Sequence, residues 1–201
     1  MHPDMTDQIN VTKKRMVKMI YTIQTMDDFV KVQRKLSRLD ATILAKELAR
    51  LAVYCRPVEN AVLWLISTPA ENMLRFRSRL ENMATADYAT LHWNNEESIL
   101  EDLETLLREL QSGASSDHEK MDGLIQICQT DKICFELGNY EGTRLTAFYC
   151  EDLSLAFSDC AEHITNYSDL IHILNYLLST DNYGVRENML APALKILNRR
   201  T

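Results

Sequence analysis

Apolar residues return every three or four positions along most of this chain, and little interrupts them, since its 201 residues include only 5 Gly and 4 Pro. That spacing lays the apolar side chains along one face of a helix with 3.6 residues per turn. Strands have little support, because alternating apolar and polar runs rich in Val, Ile and Thr are missing. The plainest helix is predicted over roughly 96–111, where Ile99, Leu100, Leu103, Leu106, Leu107 and Leu110 share a side. Gly113, just beyond, is expected to cap it in the left-handed conformation.

Helix starts carry their own chemistry, because an N-cap oxygen satisfies a backbone N–H that the helix cannot. Thr68-Pro69-Ala70-Glu71 combines a capping box with proline at the first helical position, and Ser116-Asp117-His118-Glu119 is a second box. Asp40 opens a helix bearing Ile43, Leu44, Leu48 and Leu51, and Asp27 and Asp28 open another bearing Phe29, Val32 and Leu36. A long pattern over about 143–164 places Leu145, Tyr149, Leu153, Ala156, Cys160 and Ile164 on one stripe. Pro192 falls inside the last helical pattern, where it predicts a kink or an early first turn. The expectation is an all-α chain of stacked antiparallel helical hairpins, forming an irregular helical-repeat or bundle-like array over 1–201. Residues 85–95 are the place where that single domain would subdivide.

With 46% hydrophobic and 25% charged residues the composition is that of a folded globular chain. Cys55, Cys128, Cys134, Cys150 and Cys160 form no C-x-x-C pair or regular framework, and read as apolar fillers in a reducing, cytoplasmic setting. No apolar stretch approaches the roughly 20 residues of a membrane span, and no leader is recognisable, so no membrane partner is expected. The net charge of −7 is uneven. Residues 1–56 carry 11 Lys/Arg against 6 Asp/Glu, or +5, and the remainder 11 against 23, or −12. Such polarity favours a charged protein partner or a second copy of the chain.

Over about 97–197 the chain resembles an uncharacterised bacterial family of α-helical-repeat domains. The likeness is carried by Glu109-Leu110-Gln111-Ser112-Gly113, the small-polar loop from Gly138 to Thr143, and the turn Asp181-Asn182-Tyr183-Gly184-Val185. The resemblance implies a helical-repeat fold and transfers no catalytic residue.

No signature of a phosphate-binding loop, zinc protease or serine hydrolase is present, and no cofactor is predicted. Cys160, His163 and His172 are the metal candidates, as thiolate and imidazole ligands of a tetrahedral zinc site. Against that, Cys160 belongs to the apolar stripe and His172 lies between Ile171 and Ile173. Glu151, Asp152, Asp159 and Glu162 could carry acid/base chemistry, but read more simply as a solvated acidic face. Lys31, Arg34, Lys35 and Arg38 form a basic face, while overall acidity and the lack of interleaved aromatics disfavour nucleic acid. Trp64, in the run Ala61-Val62-Leu63-Trp64-Leu65-Ile66, is either buried within the chain, the preferred reading, or shared with a partner, and it stands with the charged faces among the candidate interaction residues.

The leading functional expectation is therefore a non-enzymatic protein-interaction module or scaffold, engaging a protein partner or itself through these basic and acidic faces. The alternative is an acidic immunity or inhibitor protein that masks a basic toxin or nuclease. A further alternative is an enzyme or metal protein built on Cys160, His163 and His172.

Overall fold

The computed structural model describes residues 26–85, 96–137 and 143–200, and helix is the only regular secondary structure among them. In chain order the helices are α1 (Met26–Leu36), α2 (Ala41–Ala52), α3 (Arg56–Ile66), α4 (Pro69–Thr85), α5 (Glu96–Gly113), α6 (Asp117–Cys128) and α7 (Asp131–Leu137). There follow α8 (Thr143–Ala147), a π-helical segment (Phe148–Leu153), α9 (Ser154–His163), α10 (Ser168–Ser179) and α11 (Arg186–Arg200). None of them is long and apolar enough to cross a membrane. Packing divides the chain into two compact units, one ending at Glu59 and one beginning at Asn60. The subdivision expected at 85–95 falls almost wholly on 86–95, outside the described residues.

In the first unit, Asp40 caps α2 as its sequence position predicts, its Oδ1 accepting from the Thr42 N–H at 2.8 Å. No side chain of α2 is buried, nor is any described side chain of α1.

The second unit has a continuous core. The six apolar residues predicted on one side of α5 are all buried, as are all six of the 145–164 stripe. At α4 the capping box closes reciprocally, with the Thr68 N–H donating to Glu71 Oε2 at 2.7 Å and the Glu71 N–H donating to Thr68 Oγ1 at 3.3 Å. At α6 only half of the box forms as expected. The Glu119 N–H donates to Ser116 Oγ at 3.1 Å, but the Glu119 carboxylate accepts from the backbone and hydroxyl of Ser115 instead of from the Ser116 N–H.

Gly113 corrects another expectation. It is the last residue of α5, and the positive-φ glycine among the described residues is Gly184, at φ 70°. What Gly113 provides is room: a Cβ there would lie 2.8 Å from Met73 Cγ and 2.9 Å from the Pro69 carbonyl, so its absence lets α4 approach α5 closely. Gly123 does the same on α6, against Leu110.

The π segment follows from the stripe it serves. Leu145, Tyr149 and Leu153 advance in steps of four, and eight residues overshoot two α-helical turns by about 80°. A wider π turn absorbs that excess and keeps all three side chains in the core. Pro192 lies within α11 and is exposed. Having no N–H, it cannot donate to the Asn188 carbonyl four residues back, and the Ser154 hydroxyl donates to that carbonyl instead, at 3.2 Å.

A buried ion pair ties the ends of three helices together. Arg186 donates through Nε and Nη2 to the two oxygens of Asp131 at 2.6 and 2.8 Å, and through Nη1 to the Leu177 carbonyl and Thr180 Oγ1. Asp181, in the turn before α11, accepts from the N–H groups of Tyr183, Gly184 and Arg186. The Asp181–Val185 turn is thus a carboxylate-capped turn that needs glycine at its left-handed position.

Candidate functional site

Three groups of chemistry-bearing residues can be weighed by their surroundings. On the facing sides of α4 and α5, Asp102 and Glu109 are buried carboxylates seven residues apart. Arg79 reaches Asp102 Oδ1 and Glu109 Oε1 at 3.3 Å each, and Arg75 Nε reaches Glu109 Oε1 at 3.3 Å. This is a neutralised seam between helices, with both carboxylates held by guanidinium groups.

The residues named for metal binding lie in different settings. The Cys160 thiol is buried and donates to the Asp117 carbonyl at 3.1 Å, and burial pushes its pKa up to about 11. His163 and His172 are exposed, and the His163 Nδ1 pairs with the Asp159 carbonyl at 2.8 Å. Among the described residues, no group of three His, Cys, Asp or Glu side chains is gathered as a metal ion requires. Burial also raises the Cys128 and Cys134 thiols to about 12, far from a reactive thiolate.

The third setting is a groove of about 330 Å³ between α5 and the stretch formed by the π segment and α9. Leu107 and Phe148 form its floor, and Leu155 stands at its mouth with 73% of its surface exposed. Glu104 and Gln111 come from α5, and Asp152 from the π segment, so carboxylates enter from both walls. Arg108 is the cation of the groove, and its guanidinium lies over the Trp64 ring, 5.8 Å from the centroid. The π turn matters here, because it turns Phe148 to the floor while leaving Asp152 exposed at the edge.

The groove gathers two of the residues singled out in the sequence, Asp152 and, through Arg108, Trp64. Trp64 departs from the expectation of burial: it is 38% exposed, with Leu65 and Ile66 beyond it at 63% and 72%. A helix apolar on every side cannot hide all of its faces when it packs along one edge only. Glu151 and Glu162 are exposed away from the groove lining, and Asp159 binds Lys120 Nζ at 2.7 Å. That ammonium holds the Asp159 carboxyl below its usual 3.8. Lys31, Arg34 and Lys35 are exposed on α1 and Arg38 in the turn after it, all in the first unit. Sequence reasoning missed Leu155 as an exposed apolar residue, while Leu107, read as part of the core side of α5, is buried, as is Phe148.

No family model, curated protein or solved structure matches this chain.

Proposed function

We propose that the chain is a non-enzymatic protein-interaction module, and that the groove between α5 and the π segment is its contact site on the second unit. One observation supports the reading above the others: Leu155 stands exposed at the mouth of a groove floored by the buried Leu107 and Phe148, with the carboxylates of Glu104 and Asp152 on its two walls. Exposed apolar surface framed by polar groups is what a partner covers. The acid on both walls selects a segment with an apolar centre and basic flanks. Trp64, braced on Arg108, extends the contact at one side.

The inhibitor reading is a special case of this one, in which the basic partner is a toxin or nuclease. It is favoured by the balance of residues 60–201, which carry 11 Lys/Arg against 22 Asp/Glu. The test is to capture a partner with tagged full-length protein and then measure its affinity for purified variants. Leu155→Glu is expected to weaken binding by at least about tenfold, and Glu104→Lys with Asp152→Lys to weaken it most at low salt. A partner that binds all of these variants as tightly as the parent protein sinks the groove as the contact site. If that partner is a basic enzyme and its activity falls on binding, the inhibitor reading takes precedence.

A further inference from the structure

We infer that the occupant of the groove is the basic face of α1 on a second copy, so that copies of the chain associate head to tail. The inference rests on the reading of the groove as a contact site and names what that site takes.

The complementary surface is carried by the chain itself. Lys31, Arg34 and Lys35 lie on one side of α1, and Arg38 continues the row in the turn after it, at the i, i+3, i+4, i+7 spacing of a helix face. All four side chains are exposed. Among the described residues no ion pair engages any of these cations, nor Glu104 or Asp152 on the walls of the groove. Both surfaces therefore have charge left to neutralise.

Charge also decides how two copies meet. Residues 1–59 carry 11 Lys/Arg against 7 Asp/Glu, and residues 60–201 carry 11 against 22. Copies meeting basic face to basic face would set cation against cation, and copies meeting groove to groove would set acid against acid. Cross-pairing is the attractive arrangement, and it is heterologous, each copy offering its groove to one neighbour and its basic face to another. The side chains suit the contact. Lys and Arg have aliphatic stems that lie along apolar surface while their charged heads stay at its polar edge. In the groove the stems cover Leu155 at the mouth, and the heads reach Glu104 on one wall and Asp152 on the other. The stems thus supply the apolar part of the docked segment and the heads its basic flanks. Asp27, one turn earlier on the same side of α1, offers an acid to Arg108, the cation of the groove.

The test is sedimentation equilibrium on the full chain, from low to high micromolar concentration at low and high salt. The parent protein is expected to form dimers and larger species that weaken with salt. One variant neutralises the groove, Glu104→Gln with Asp152→Asn. Another neutralises the face, with Lys31→Gln, Arg34→Gln, Lys35→Gln and Arg38→Gln together. Each should raise the dissociation constant by about tenfold at low salt. The deciding sample mixes the two variants, because one intact groove and one intact face remain between them. It should give a one-to-one dimer and nothing larger, with a constant within about threefold of the parent value. The face variant contributes only its groove to that dimer, and the groove variant only its α1, so damage at the altered surface leaves the result readable. A chain monomeric at every concentration overturns the inference. So does association that the groove variant leaves unchanged, or a mixture that stays monomeric. The groove as a contact site fails separately, when a captured foreign partner binds Leu155→Glu and the groove variant as tightly as the parent.

Discussion

Ser154 is the residue whose role is easiest to state and hardest to foresee. Its hydroxyl serves the Asn188 carbonyl, which Pro192 leaves without its helical donor. Removing that hydroxyl deprives a part-buried hydrogen bond of its donor, so Ser154→Ala is expected to cost about 1 kcal/mol in urea unfolding. The same substitution should cost clearly less in a Pro192→Ala background, where residue 192 regains an N–H for that carbonyl. Equal costs in the two backgrounds would mean that the proline and the serine are unrelated. The sequence marks Pro192 as a disturbance, because a missing donor is a local property. It does not mark Ser154, 38 positions away, because that remedy is a tertiary contact. The Asp131–Arg186 pair is illegible for the same reason, whereas the Asp181–Gly184 turn is visible at once, since its hydrogen bonds close within five residues.

At the scale of elements, what local chemistry determines was readable and what packing determines was not. The capping boxes placed the starts of α4 and α6 correctly, and the stripe at 145–164 contained the π segment in its steps of four. Gly113 misled, because a glycine after a leucine helix looks like a cap until the close approach of α4 is seen. Trp64 misled because a helix apolar all round does not say which side stays wet. The α6 start carries a prediction in pH. Glu119 accepts from the backbone N–H and the hydroxyl of Ser115, at 2.8 and 2.7 Å, and from Arg77 at 2.8 Å. The Ser115 backbone bond is the main cause, and together these hold the carboxyl below its usual 4.5. A folded-state pKa below the unfolded one gives stability that is fully present above about 4.5 and is lost as pH falls through the folded value. Glu119→Gln should therefore destabilise at pH 7, by under about 1 kcal/mol because the site is largely solvated. The gap from the parent protein should close on acidification below 4.5. A gap that persists unchanged to pH 3 would assign the effect to packing instead of charge.

Taken whole, the chain divides into two units of different physical character, and the charge split, +5 over residues 1–56 and −12 over the remainder, falls close to their boundary without indicating how much each unit buries. Residues from Asn60 onward bury Phe76, Leu103, Leu106, Leu110, Leu124, Phe157 and many others almost completely, so their helices open only when that core does. In the first unit the described side chains of α1 and α2 are at most half-buried, although their apolar spacing is as regular as that of α5. Periodicity reports that a helix has an apolar side; it is silent on what covers that side. Amide hydrogen exchange should separate the two regimes in dilute solution. Slow amides are expected in α5, α9 and α11, exchanging with the free energy of global unfolding, and fast ones in α1 and α2, exchanging by local opening. Uniform protection across both units in dilute solution would show that one cooperative core holds the whole chain.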